Sequence, residues 1–166
     1  MLTAIGYMRP VSRYGCVGLL CLLLSGCGAT EAVSDVFTTI TKADMVVQAT
    51  NNVNPDMDGR PSPILIRIYQ LKSPVAFNNA DFFALYDRDA AELGADFVAR
   101  DDLDLKPGES IPLERRFTED TRYLGIIAAY RNIDSSTWKK VIEIEPDSNS
   151  EITILLDDKG IQITRK

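Results

Sequence analysis

Ile64–Leu71 reads Ile-Leu-Ile-Arg-Ile-Tyr-Gln-Leu, and its apolar residues fall on both phases of a period of two. Ile64, Ile66 and Ile68 take one face of a strand, and Leu65, Arg67, Tyr69 and Leu71 take the other. A strand that is apolar on both faces is a central strand, covered on both sides. It needs a neighbouring strand on each edge and a layer over each face, and the rest of the chain has to supply them.

The surrounding sequence supplies strands. Ala43–Thr50 centres on Val46 and Val47. Phe97–Leu105 leads into the turn tripeptide Lys106-Pro107-Gly108. Glu109–Phe117 contains Pro112, which suits an edge strand or a bulge. Tyr123–Arg131 reads as another buried strand, and Thr137–Glu145 alternates around Trp138, Val141 and Ile142. Pro146–Asn149 is a turn, and Glu151–Leu156 and Ile161–Thr164 pair through Asp157–Gly160 as a hairpin. Between Ser73-Pro74 and Gly94 the pattern changes. Phe82, Phe83, Leu85, Tyr86, Ala90 and Leu93 recur near 3.6, so a helix capped by Asn79 or Asp81 runs to about Leu93. About eight short strands with regular turn signals and one inserted helix predict a mainly β fold, a β-sandwich.

The N-terminal segment has a different character. Arg9 and Arg13 precede an uncharged run from Tyr14 to Leu24, which is a basic region followed by a short apolar one. The run is far below the ~20 apolar residues that a spanning helix needs. It ends in Leu24-Ser25-Gly26-Cys27, which resembles the lipobox of bacterial lipoproteins. The resemblance implies that residues 1–26 are a signal peptide and that Cys27 carries a diacylglycerol and an N-acyl chain. An ordinary secretory signal with a chance cysteine, or a buried helix, is the alternative. Gly28 follows Cys27, so the Asp-type signal for inner-membrane retention is missing. Residues 27–42 are then the acylated cysteine and a tether, which fully extended reaches roughly 50 Å. Val33, Val36, Phe37 and Ile40 are also spaced for a short amphipathic helix. Residues 43–166 are the sandwich domain.

Composition narrows the chemistry. Residues 1–26 hold two of the 18 basic residues and none of the 24 acids, so their removal takes the net charge from −6 to −8. A chain this acidic does not seek nucleic acid or anionic headgroups. All three cysteines lie at or before Cys27, so the domain keeps no thiol for a disulfide, a zinc site or a nucleophile. There is no histidine, which removes the usual general base and the commonest transition-metal ligand. No cofactor and no small-molecule substrate are expected.

Asn51–Pro63 carries Pro55, Pro61, Pro63, three asparagines and Gly59, and reads as a long loop. Asn54-x-Asp56-x-Asp58-Gly59 superficially matches the start of a calcium loop, but Leu65 stands where a bidentate Glu is required. The bland reading is a solvated turn held by Asn and Asp side chains. The functional reading is a partner-binding loop, since a proline-stiffened loop loses less entropy on docking. Ser136-Thr137-Trp138-Lys139 matches Ser-x-x-Lys by chance, without its companion motifs. Asp101, Asp102 and Asp104 read as a solvated strand end, and Tyr130 and Trp138 as core.

A longer pattern runs through the chain. It comprises Asn-Pro-Asp-x-x-Gly-Arg-Pro-Ser-Pro from Asn54, Ile-Leu-Ile-Arg-Ile-Tyr-Gln-Leu-Lys to Lys72, and Ala-Asp-Phe-Phe-Ala-Leu-Tyr from Ala80. Leu-x-Pro-Gly-Glu at Leu105–Glu109, Leu-Gly-Ile-Ile-Ala-Ala-Tyr-Arg at Leu124–Arg131, and Trp138 follow. With the lipobox, the chain resembles the TssJ (SciN/VasD-type) lipoproteins of the type VI secretion system. The resemblance implies a transthyretin-like β-sandwich of two four-stranded sheets with an added helical element. It implies an anchor in the inner leaflet of the outer membrane, facing the periplasm. It also implies binding to the periplasmic C-terminal part of TssM within a TssJ–TssL–TssM complex. In that family the loop between the first two strands touches TssM. Here that loop places Asn54, Pro55, Asp56, Met57, Asp58, Gly59 and Arg60 at the interface, with Met57 and Arg60 as its best contact residues.

Three function classes follow. The first is an interaction protein that anchors an envelope complex. The second, a lipid-anchored periplasmic enzyme, needs a nucleophile or a carboxylate pair in a cleft. The third, a ligand-binding sandwich, needs a large apolar cavity. The residue types favour the first.

Overall fold

The computed structural model describes residues 41–145 and 149–166. The signal segment, Cys27, the tether up to residue 40 and most of the 146–149 turn lie outside the described residues. Eight strands form two four-stranded sheets. They are β1 (Thr41–Ala49), β2 (Ile64–Leu71), β3 (Phe97–Leu105), β4 (Ser110–Phe117), β5 (Tyr123–Ala128), β6 (Lys139–Glu143), β7 (Asn149–Leu156) and β8 (Ile161–Arg165). One sheet has the order β4-β1-β7-β8 and the other β3-β2-β5-β6. β1 runs antiparallel to β4 and parallel to β7. Pro112 lies on β4, an edge strand, where a residue without an N–H is best tolerated.

β2 has the interior position its pattern predicts, between β3 and β5. Ile64, Ile66 and Ile68 point into the core between the sheets, with Met45 and Val47 of β1, Leu124 and Ile126 of β5, and Ile152 and Ile154 of β7. Tyr69 and Leu71 point the other way, into a second core that the helical segment covers. Leu65 and Arg67 are only half-buried, so the outer cover is complete over the C-terminal half of the strand.

Two α-helices occupy the stretch where one was expected: α1 (Val75–Asn79) and α2 (Phe82–Leu93). Asp81 caps α2, its side chain accepting from the Ala84 N–H at 2.7 Å, and Gly94 ends it. α1 is a single turn behind Pro74 with one buried residue, Phe77, too short to show a period. The Phe77 ring fits over Gly125 of β5, where an added Cβ would lie 2.8 Å from it. β5 and β6 stop short of their expected ends at Arg131 and Glu145, and β1 begins at Thr41, two residues before Ala43.

The strand directions define two poles. The chain enters at Thr41, at the N-terminal end of β1. The long loop to β2 leaves the opposite end of β1, about 30 Å away at ~3.3 Å per residue. Two turns share that second pole. The β3–β4 turn donates its Gly108 N–H to Thr50 O at 3.2 Å, and the end of β7 accepts the Thr50 N–H at Leu156 O, 2.9 Å away.

Candidate functional site

The loop from Asn51 to Pro63 is braced from within. At its base Val53 is fully buried, and its carbonyl accepts the Ser62 N–H at 3.2 Å. Asn54 has φ +47°, a left-handed conformation that asparagine tolerates better than most residues. Its amide nitrogen donates to Pro63 O at 2.9 Å, and its amide oxygen accepts the Arg131 N–H at 2.7 Å. Asn54 therefore ties the loop both to the start of β2 and to the loop that follows β5.

The tip is a tight turn organised by Asp56. Its Oδ1 accepts the N–H groups of Asp58 and Arg60, both at 2.9 Å, and Gly59 at φ +78° lets the chain reverse. Asp56 Oδ2 accepts Arg60 Nε at 2.9 Å, and Asp58 Oδ2 accepts the other arm of the guanidinium at 2.7 Å. The Arg60 backbone N–H does most to hold the Asp56 carboxyl below the usual carboxylate range; burial opposes it, and the Arg60 side chain, the Asp58 N–H and the nearby charge of Arg131 add to the lowering. The carboxylates that gave the calcium-like spacing are thus turned onto an arginine. Met57, between them, is fully exposed.

The seven expected interface residues fall into different roles. Met57 stands out as an apolar knob. Asn54 is 4% exposed and works as a latch beneath the surface. Arg60 is exposed, but its guanidinium is already shared by two carboxylates of its own loop. Pro55, Asp56, Asp58 and Gly59 shape the turn.

Residues that the sequence reading did not single out as site residues join them. A groove of about 460 Å³ runs between the tip of this loop and the β5–β6 loop and reaches the β7–β8 turn. Asn54, Pro55, Asp56 and Met57 line one side, with Tyr130, Arg131, Asn132 and Ser135 opposite and Asp158 at the end. The tie from Asn54 to Arg131 spans 77 positions, so no local pattern signals it. Tyr130 is buried, as expected, and that burial together with Asp157 and Asp158 pushes its hydroxyl pKa up.

The remaining sequence candidates have structural partners. Asp101 binds Arg115 through both oxygens, at 2.8 and 3.0 Å, and Asp102 binds Arg100 at 2.7 Å. These two are ion-paired, not merely solvated as the sequence suggested. Lys139, of the Ser-x-x-Lys match, donates to the carbonyls of Phe77, Asn78 and Ala80 at 3.1, 2.9 and 2.8 Å and so closes the end of α1.

Against this geometry the comparisons with known proteins agree with one another. The model of the type VI secretion lipoprotein family (VasD, EvfM, TssJ) matches residues 41–159. The crystal structure of the T6SS lipoprotein TssJ1 from Pseudomonas aeruginosa is similar with a TM-score of 0.75 at 38% identity, over 76% of this chain and 97% of that one. Serratia marcescens Lip, a membrane-bound component of the type VI secretion system, is similar with a TM-score of 0.69 at 29% identity, over 75% and 97%. A chain in a structure of the T6SS protein TssM C-terminal domain from EAEC is similar with a TM-score of 0.63 at 25% identity, over 75% and 98%. A comparison with curated protein sequences gives no match.

Proposed function

The chain belongs to the type VI secretion lipoprotein (TssJ) family, and from that premise we propose that it anchors the secretion system's membrane complex to the outer membrane by binding the periplasmic C-terminal part of TssM. The family is one of membrane-associated structural lipoproteins, and the fold is theirs. The observation that carries the finer reading is the separation of the two poles. The chain arrives from its N-terminal segment at Thr41, and the braced loop with Met57 at its tip is held at the far end of the same strand. A domain tied down at one pole presents the other to a partner. The similarity to a chain in a TssM C-terminal domain structure supports TssM as that partner.

In this reading Cys27 carries the acyl chains and holds the domain in the inner leaflet of the outer membrane, facing the periplasm. Two or more chains, at ~0.8 kcal/mol per buried methylene, are enough for stable anchoring. TssL joins through TssM. The domain itself supplies rigidity and recognition, with no chemistry asked of it.

The experiment is a fractionation of cells that make the parent or the Cys27→Ser variant, combined with labelling by a clickable fatty acid. The variant should take up no label and leave the outer-membrane fraction, and TssM should no longer co-isolate with that fraction. A labelled serine variant, or one that stays with the outer membrane together with TssM, contradicts the proposal.

A further inference from the structure

We infer that Arg131 is the cation that the partner reads, and that the partner contributes a carboxylate-bearing segment seated in the groove between the β1–β2 and β5–β6 loops. The inference rests on the reading of this pole as the TssM-binding surface and names the chemistry that the surface recognises.

Arg60 is the obvious cation of the loop by sequence. Its Nε and one terminal nitrogen are bonded to Asp56 and Asp58 at 2.9 and 2.7 Å, so its charge is neutralised inside the turn. Both oxygens of Asp56 are occupied in the same turn. Arg131 differs in each respect. Its backbone N–H is held by Asn54, which fixes the root of the side chain beside the loop, and the side chain is exposed. Among the described residues its guanidinium makes no ion pair within 4.0 Å, and it acts on Asp56 only as a nearby charge. A planar group with five N–H donors is therefore left open at the wall of a groove, and bidentate binding of a carboxylate is what such a group does best.

The groove suits that ligand. Pro55, Met57 and the ring of Tyr130 give it apolar wall, which strengthens a charged hydrogen bond by excluding water. Asn132 and Ser135 add donors for a main chain passing over them. Asp158 at one end and Asp56 in the loop wall, its two oxygens already bonded within the turn, repel a carboxylate and so direct it to Arg131. The latch on Asn54 makes the two loops one surface, with a recognition charge on one and an apolar knob on the other.

The test uses the full-length lipidated protein in detergent, immobilised, with the purified periplasmic part of TssM as analyte at about 50 and 300 mM salt. Arg131→Glu should weaken binding at least tenfold at low salt and flatten its salt dependence, because the charge that is screened has been reversed. Arg131→Gln should lose about tenfold, Arg131→Lys should fall between Arg131→Gln and the parent because it keeps the charge but not the bidentate fork, and Arg60→Gln should stay within about threefold. All four should melt with the parent, since the Arg131 side chain holds no ion pair in the fold and Arg60 serves only its own turn. If Arg131→Glu binds within threefold of the parent while replacement of Pro55–Arg60 abolishes binding, the groove inference fails and the loop reading stands. If both variants bind like the parent, the loop reading fails as well. Arg131→Gln binding within threefold of the parent would show that charge is not what the partner reads, and that too would overturn the inference.

Discussion

At the scale of single residues, this fold is shaped by a few polar side chains placed where an apolar one would be simpler. Asp89 in α2 is nearly buried and is bonded to Arg100 of β3 and to the Ala90 N–H. Burial pushes its carboxyl up, but the Arg100 hydrogen bond and the Ala90 N–H outweigh this and hold the pKa below its ordinary value. A carboxyl lowered in the folded state contributes stability that is present above its unfolded pKa and is lost as pH falls through the folded one. Asp89→Asn should therefore cost about 1–3 kcal/mol near neutrality, and the cost should shrink steadily below about pH 4. Urea titrations of both proteins across that range measure it, and a cost independent of pH would contradict the assignment. Asn54 is the other such residue. Its side chain, expected at a partner interface, holds two loops together, and the bond to Arg131 spans 77 positions, so no local pattern signals it.

The elements show where sequence patterns suffice and where they stop. β2 was legible to its exact ends because each face of it meets its own hydrophobic core. The cap and stop of α2 were legible because Asp81 and Gly94 are chemically committed to those positions. α1 was not legible, since one turn has no period, and what holds it is a residue far along the chain. Lys139 of β6 donates to three carbonyls at its end and lies over the Phe77 ring at 5.8 Å. Burial lowers the ammonium pKa, so these carbonyls replace the water that it gives up. Lys139→Met should free α1 from the sheet while leaving both sheets paired. We expect a loss of about 1.5–3 kcal/mol and hydrogen exchange that rises at Phe77–Ala80 before it rises in β2 or β5. Equal protection of α1 in the variant and the parent would contradict that role. Asp101 and Asp102 illustrate the same limit. Acids on a strand look solvated until their arginines are placed: Arg67 comes from β2 and Arg115 from β4 of the other sheet, while Arg100 lies on β3 itself, two residues before Asp102.

At the scale of the molecule the two ends of β1 separate the tasks. One end leads towards the N-terminal segment, the other into the loop, and the sandwich between them fixes their distance. The stability resides in the cores, and the proposed recognition in a surface that the cores do not need. Truncation of a core residue such as Ile66 to Ala costs about 2–5 kcal/mol, whereas exposed substitutions usually stay within about ±0.5 kcal/mol. Loop length itself changes stability little. The loop's place in the chain was legible from its prolines and asparagines. The groove was not, because it forms only when residues from around positions 54, 131 and 158 meet at one pole. The most direct measurement is a calorimetric titration of the periplasmic part of TssM into the parent and into a variant whose Pro55–Arg60 segment is replaced by a short Gly-Ser link. The variant should melt within a few degrees of the parent and lose most of its affinity. Binding as tight as the parent's, with the fold intact, would place the interface elsewhere and contradict the account.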